Sequence, residues 1–467
     1  MAFGSEKGNV KVTGKLASGD GTHDWLKELY MDSLQEGQFG LKSPWFDKVL
    51  KNKKSLQAEG ARTSYDIDLT PGLNMGNDRA DIESGLMANP NNGPLKAQIH
   101  FNTGDDADDI NIDNKFLQRG AGKSASFRLE MKGIIDRRVR AFGGVIARKA
   151  MSDGLGLIGA GVVTNGSGTA DVVFTNFEDA CYFSVGSRVQ MVARKSTTLE
   201  PSFSSSVAPS PSSAYTVTAV DEDTGTVTFS GNWTAPSGCS ATQIYLCLAG
   251  QPLRSNNAVG VAAWIPLTVP SSTVIGTSVL DADNSFAALT TSTITCTHNR
   301  SLYKNRLAGH RITGKTHLPI QDLLYAMTGK MEARGCEFDH ILMSVNNFNK
   351  CASGAFSRFT PATGAEAEAL NISTLYFSAA NKRLPVIADA NVADNVVYVL
   401  NYDDWVPVYT GAGIPFQDTM GAGSGGLFRV SGNAVALKHQ AYWNLLCMVP
   451  YNQGVIEVDS TAYLPAA

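Results

Sequence analysis

No two of the seven cysteines, at positions 181, 239, 247, 296, 336, 351 and 447, form a C-x-x-C pair. That spacing excludes zinc ribbons and a dithiol redox centre, and it fits buried, reduced thiols in a reducing compartment. The seven histidines, at 23, 100, 298, 310, 317, 340 and 439, never recur as H-x-x-x-H or H-E-x-x-H, so no helical zinc site is indicated. Long apolar runs are missing as well. The longest, 261–269 and 445–449, are too short to span a bilayer. The opening MAFGSEKGNVKVTGK has no apolar stretch of signal-peptide length. The expectation is a soluble chain made in the cytoplasm, with no membrane partner. A basic excess is also absent: 39 Lys and Arg face 43 Asp and Glu, for a net charge of -4. A protein that wraps nucleic acid by neutralising phosphates needs the opposite balance, which disfavours tight, direct DNA binding.

What is present is length and glycine. At 467 residues the chain exceeds what one hydrophobic core normally serves, so two or three domains are expected. Forty-five glycines against 18 prolines point to turns and strands rather than a helical bundle.

Residues 1–57 are polar and lysine-dotted and read as an extended arm. Trp25, Leu26, Leu29, Tyr30 and Leu34 recur at helical spacing within it, predicting one short helix. The four lysines between Lys48 and Lys54 read as a solvated face. In 61–69, Thr63, Tyr65, Ile67 and Leu69 alternate with Ser64, Asp66 and Asp68. In 95–102, Leu95, Ala97, Ile99 and Phe101 alternate with Lys96, Gln98 and His100. Period-two patterning on both arms predicts a long, half-buried hairpin. A two-stranded ribbon is marginal alone in water, so it is expected to lie on something else, such as a neighbouring subunit.

The spacing of Met131, Ile135, Val139, Phe142, Ile146 and Ala150 predicts a helix over 124–153, with Ser124 as N-cap and Asp153-Gly154 as its stop. Its opposite face carries Arg128, Lys132, Arg137, Arg140, Arg148 and Lys149. Residues 176–256 read as a separate β module: a strand at 185–192, a Ser/Thr/Pro loop, a hairpin at 215–231 and a strand at 243–248. Beyond 257, Ile320, Leu323, Leu324, Met327 and Met331 form a helical stripe after Pro319 and before Arg334-Gly335. Strands are expected at 338–345, 384–388, 396–401, 427–430 and 443–449. Helices and strands mix without regular βαβ alternation, which indicates an α+β class.

Few motifs suggest chemistry. Gly309-His-Arg-Ile-Thr-Gly314-Lys315-Thr316 matches the phosphate-loop pattern G-x-x-x-x-G-K-[ST]. That pattern binds phosphate only between a buried strand and a helix starting at the lysine. Here the preceding stretch is polar and basic, and Pro319 would break such a helix. Gly154-Leu-Gly156-Leu-Ile-Gly159 fits G-x-G-x-x-G but follows a helix instead of a strand, so it reads as a flexible connection. Gly423-Ser424-Gly425 lacks the full nucleophile-elbow pattern. Asp105, Asp106, Asp108 and Asp109 could hold a divalent cation but read as a solvated loop face, as do Asp66, Asp68, Asp78 and Asp81. No acid/base pair or activated nucleophile stands out. The reading is a non-enzyme with no catalytic, metal or cofactor residues.

Several local stretches resemble a known family. Ala262-Ala263-Trp264-Ile265-Pro266, Asn299-Arg300-Ser301 and Arg306-Leu307-Ala308-Gly309 look like the segment ahead of the second helix in major capsid proteins of tailed bacteriophages, the shell-subunit fold shared with herpesviruses. The stretch 320–344, with Gly335, Asp339 and Met343-Ser344, resembles the helix and strand that follow. Tyr442-Trp443-Asn444-Leu445 and Pro450 resemble the closing strand. The resemblance covers roughly residues 40 to 460.

The resemblance implies an N-terminal arm (1–57), an extended loop crossing a neighbour (58–122) and a peripheral domain with a spine helix (123–175). An inserted small β-barrel or sandwich (176–256) would follow, then the second part of the peripheral domain (257–335) and an axial domain with closing strands (336–467). It implies hexamers and pentamers in an icosahedral shell around packaged double-stranded DNA, with maturation by swelling of a precursor. Expected partners are other copies of itself, a portal, a decoration or cement protein, and DNA only by weak non-specific contact. Fewer than about 60 residues precede the loop, which points to a separate scaffolding protein. Some family members cross-link subunits through a lysine and an asparagine; Lys96 is the candidate on the loop, with no matched partner. Virion capsid and host bacterial cytoplasm are the implied locations. The rival readings are a phosphate-loop NTPase and another phage structural protein, of tail or decoration.

Overall fold

In the computed structural model, Ser64–Asp68 and Lys96–Phe101 pair antiparallel, with Tyr65 opposite Ile99 and Ile67 opposite Ala97. The structure describes residues 43–51, 56–57, 64–69, 96–113, 142–152, 154, 159–174, 179–180, 183, 185–195, 201–202, 215–221, 224–234, 239–248, 258–267, 274–275, 294–353, 359–361, 375–379, 382–409, 427–431 and 434–459. Ile67, Leu69, Ala97, Ile99 and Phe101 are buried while Lys96, Gln98 and His100 face out, as the alternation predicts. The root of the ribbon is not left for a neighbour to cover. Ile294–Cys296 pairs with Lys96–Phe101, and Val274–Ile275 adds a fourth strand. A three-residue strand carries too little alternation to be read from sequence, yet it supplies the third strand a marginal hairpin needs.

Two further expectations are corrected. Asp105, Asp106, Asp108 and Asp109 lie not in a loop but in the strand Gly104–Asp113, paired antiparallel with Ala434–Cys447 from Gly104 opposite Trp443 to Asp113 opposite Ala434. Aspartate disfavours strands, which hid the element. Among the described strands this one pairs on one side only, and charge at an edge discourages edge-to-edge association. The end of the supposed arm is the helix Pro44–Leu50, whose Trp45, Phe46 and Val49 are fully buried. The predicted helix at 25–34 lies outside the described residues.

Of the long helix expected over 124–153, residues 142–151 are described and helical, with Phe142, Ile146, Ala147, Ala150 and Met151 buried; 124–141 lie outside the described residues. The helix ends against Gly260. A Cβ there would lie 2.3 Å from the carbonyl oxygen of Lys149 and 2.6 Å from those of Ala150 and Ser152, so only glycine admits the approach.

The β module closes on itself. Its strands follow the order Gly159–Asn165, Thr169–Phe174, Thr226–Ser230, Tyr215–Asp221, Arg188–Lys195, Cys239–Leu248, and the last pairs back with Gly159–Asn165. These strands share a core of their own, with Phe183 stacked on Phe174 at 5.1 Å and Val172, Val227, Phe229 and Leu246 in the same cluster. The sheet includes the strands Gly159–Asn165 and Thr169–Phe174, which precede residue 176. The hairpin at 159–174 turns through Gly166-Ser-Gly168, and its alternation is diluted by glycine and alanine.

A mixed seven-stranded sheet runs His310–Ile312, Gly454–Glu457, Val396–Leu400, His340–Met343, Arg383–Ala388, Leu375–Ser378, Phe359–Pro361. The helix Ile320–Glu332 lays Leu323, Leu324, Met327 and Met331 in one core with Ile341, Met343, Val397, Val399 and Ile456. Its end is closed by paired bonds from Cys336 N–H to the Met331 carbonyl and from Gly335 N–H to the Glu332 carbonyl. The predicted strands at 338–345, 384–388, 396–401, 427–430 and 443–449 are all present, the last as the end of the longer Ala434–Cys447, which stops two residues earlier. The architecture is mixed helix and strand, most strand pairs being antiparallel.

Candidate functional site around Arg300

Stretches far apart in sequence meet at one fully buried arginine. Arg300 donates through Nη1 to the carbonyl oxygen of Ala263 (2.9 Å), through Nη2 to that of Trp264 (2.5 Å) and through Nε to that of Leu307 (3.3 Å). A guanidinium suits this task because its donors form a rigid planar fork that reaches several carbonyls at once. The short helices Val261–Trp264 and Lys304–Ala308 are thereby held by their carbonyl ends. Asn299 tightens the turn before them by accepting from the Ser301 N–H and hydroxyl, both at 2.9 Å. Gly309 follows at φ +71°, where a Cβ would lie 2.6 Å from Ile265 Cγ2 and 2.8 Å from the Gln453 carbonyl oxygen.

The closing strand is tied to the same place. Trp264 Nε1 donates to the Leu445 carbonyl oxygen (2.8 Å). Asn444 accepts from the Val259 N–H (2.8 Å) and donates to the Asn102 carbonyl oxygen (2.8 Å). Tyr65 in the hairpin donates to the Cys447 carbonyl oxygen (2.9 Å). Burial holds the Tyr65 and Cys447 protons on, well above the usual ranges. Hairpin, the helix over 142–151, Arg300 turn and closing strand thus share one hydrophobic cluster. What this arrangement does chemically is fix geometry: it holds the two hairpin strands, the helix over 142–151 and the closing strand against one another.

A second junction seats the amino-terminal helix. Ser43 caps it by accepting from Phe46 N–H (3.1 Å) and donates to Asp389 Oδ2 (2.5 Å). Trp45 Nε1 donates to His340 Nε2 (2.7 Å), which leaves the His340 proton on Nδ1, donated to Asp339. The Tyr402 ring stacks on His340 at 3.7 Å and carries the Lys48 ammonium 3.7 Å from its centroid. Burial pulls the His340 and Lys48 pKa values down and pushes that of Asp389 up. Sequence reasoning missed this junction, although the Ser43-Pro44 start before Trp45, Phe46, Val49 and Leu50 was its available signal.

The phosphate-loop pattern is not built as one. The strand His310–Ile312 lies inside the motif, and the next helix starts at Ile320, after Pro319. The Gly314 N–H that would face a phosphate donates instead to the Glu457 carboxylate (2.7 Å), and an anion there repels another. His310 is buried, donating through Nε2 toward Cys336 Sγ (3.1 Å) and accepting at Nδ1 from Arg334 (2.9 Å). Burial first, and then Arg334, Lys330 and Arg311, pull its pKa down to about 4, so the ring is neutral at pH 7.

Other singled-out residues stay separate. Lys96 lies 3.9 Å from Asp66, both half exposed, a surface pair of small energetic weight. Cys296, Cys336, Cys351 and Cys447 are buried free thiols, and burial pushes Cys336 and Cys351 up to about 11 and about 12. Gly423-Ser424-Gly425, Asp78 and Asp81 lie outside the described residues. No three His, Cys, Asp or Glu side chains gather as a metal site among the described residues, and no described helix is long and apolar enough to cross a membrane.

No protein-family model matches the chain. No curated protein matches it either. Among solved structures it is similar to the cyanophage A-1(L) capsid asymmetric unit at 11% identity, covering 90% of this chain and 94% of that one, with a TM-score of 0.47. It is also similar to a chain of the satellite phage P4 procapsid with its size determination protein, at 9% identity, 96% and 94% coverage and a TM-score of 0.35. A chain of Mycobacterium phage Ogopogo is similar at 9% identity, 88% and 91% coverage and a TM-score of 0.37.

Proposed function

We propose that this chain is a major capsid protein of a tailed bacteriophage: a structural, non-catalytic subunit that assembles into an icosahedral head around packaged double-stranded DNA. The observation that carries this reading is convergence. The short stretches that resemble the family, 262–266, 299–301, 306–309 and 442–445, are joined directly or through neighbours at Arg300 and Trp264. Unrelated accidental matches would have no reason to meet in space.

In this reading the hub is the rigid body of the subunit. The loop between the hairpin strands reaches a neighbour, and the helix over 124–153 is the spine of the peripheral domain. The seven-stranded sheet crowds around the five-fold and six-fold axes, and the barrel is an insertion on the outer surface. Subunits form hexamers and pentamers, guided by a separate scaffolding protein and joined by a portal and a decoration protein. DNA contact is weak and non-specific, in keeping with the net charge of -4. Assembly takes place in the host bacterial cytoplasm and ends in the virion.

Electron microscopy of the purified protein, alone and co-expressed with candidate scaffolding proteins, tests this. Closed icosahedral shells support it. Tubes, small rings or only discrete small oligomers under both conditions contradict it.

A further inference from the structure

We propose that Arg306, Arg311, Lys330 and Arg334 form an anion-binding surface, and that its occupant is the acidic segment Asp105–Asp109 of a second copy of this chain. The proposal rests on the capsid reading for its setting but on the cluster's geometry for its chemistry.

The four cations are linked through shared neighbours. Lys330 Nζ donates to the Arg311 carbonyl oxygen (3.0 Å), and Arg334 lies against His310, the residue before Arg311, at 2.9 Å. The Tyr451 hydroxyl donates to the Arg334 carbonyl oxygen (2.9 Å), and Arg306 sits 4.0 Å from the centre of the Tyr451 ring. Yet among the described residues none of the four lies in an ion pair with an Asp or Glu. Arg311 turns Nη2 to the carbonyl oxygens of Ala308 and Gly309, while its buried Nε has no acceptor. Like charges gathered without a counter-charge cost free energy: burial and then the Arg334 and Arg311 charges pull the Lys330 pKa down. An incoming carboxylate would relieve the repulsion. Beside the patch an open cavity of about 390 Å³ is lined by Ser301, Lys304, Asn305, Arg306 and Tyr451, adding donors to the same anion-seeking surface.

The chain carries the complementary segment. Four aspartates fall within five residues, at 105, 106, 108 and 109, on a strand that pairs on one side only among the described strands. Ten paired positions hold that strand in the five-stranded sheet, whereas Arg311 belongs to the seven-stranded sheet. The cluster is compact and the chain is net acidic, which favours a protein carboxylate over nucleic acid. Such charge pairs set the register between partners more than they set bulk affinity.

Two arms test the assignment. In the first, shell yield is measured by sedimentation and microscopy at about 0.1 M salt, where exposed charges still interact. The variants are Lys330→Glu with Arg334→Glu, then Asp106→Lys with Asp108→Lys, then all four together. Each pair alone is expected to lower yield about tenfold and the combination to restore it, which also shows that the variants fold. Unchanged yield in either pair, or no recovery in the combination, overturns the proposal. In the second arm a fluorescent peptide of residues 104–113 is titrated against the unassembled protein. Binding that weakens with salt and disappears in Lys330→Glu, Arg334→Glu supports the site even if no shell forms, an outcome that would sink only the capsid reading. Binding of duplex DNA but not of the peptide would assign the cluster to nucleic acid and overturn the assigned occupant.

Discussion

The indole nitrogen of Trp264 donates to the carbonyl oxygen of Leu445 at 2.8 Å, joining positions 181 residues apart in the buried centre of the molecule. One turn of helix thereby grips the closing strand, while the carbonyl of the same tryptophan accepts from Arg300. A single residue couples the two halves of the hub.

Trp264→Phe keeps the ring but leaves the Leu445 carbonyl without its donor in a dry site. The expected loss is about 1–3 kcal/mol in denaturant unfolding. Arg300→Met removes donors from three carbonyls and should cost about 3–5 kcal/mol, and Arg300→Lys should recover only part of it because an ammonium lacks the fork. Equal stability of Arg300→Lys and the parent would refute the fork argument.

Gly260→Ala places a methyl group 2.3 Å from a backbone oxygen that cannot swing aside. Destabilisation of at least about 1–3 kcal/mol is expected, with the helix over 142–151 losing hydrogen-exchange protection first. Protection lost evenly across the protein would argue that the helix is not specifically seated there.

Acid should act on two buried groups in opposite directions. The His310 pKa falls from 6.5 to about 4, so its contribution is full above pH 6.5 and is lost as pH falls through 4, about 3 kcal/mol in all. Burial raises Asp179 from 3.8 to about 6 against the pull of Arg148, 2.8 Å away. Its contribution is full below pH 3.8 and is lost as pH rises through 6, again about 3 kcal/mol. Between pH 4 and 6 the two largely offset each other. His310→Gln should therefore make stability rise on acidification relative to the parent, and Asp179→Asn should make it fall more steeply. Chemical unfolding across that range reads both slopes.

Because Glu457 occupies the Gly314 N–H, titration with ATP and Mg²⁺ should give no saturable binding, and Lys315→Ala should behave identically. Saturable binding abolished by Lys315→Ala would revive the phosphate-loop reading.

The elements legible in the sequence were those with an unbroken period. The alternation of Tyr65, Ile67 and Leu69 with Ala97, Ile99 and Phe101 marked the hairpin, and the stripe of Leu323, Leu324, Met327 and Met331 marked its helix. The strand Gly104–Asp113 was not legible, because its aspartates are tolerated only through pairing with a partner more than 300 residues away. The helix Pro44–Leu50 was hidden by the lysines that follow it, although Trp45 and Phe46 are fully buried. The hub itself was legible as words but not as a site. Nothing in Asn299-Arg300-Ser301 says that Arg300 reaches Ala263 and Leu307, since such contacts depend on tertiary placement. The cluster of Arg306, Arg311, Lys330 and Arg334 was likewise spread over two helices, a strand and a turn.

Electron microscopy of the purified protein with a co-expressed scaffolding candidate tests the central claim most directly. The account predicts closed icosahedral shells of hexamers and pentamers, lost when Arg300→Met loosens the hub. Only small rings, tubes or discrete oligomers, alone and with scaffold, would contradict it.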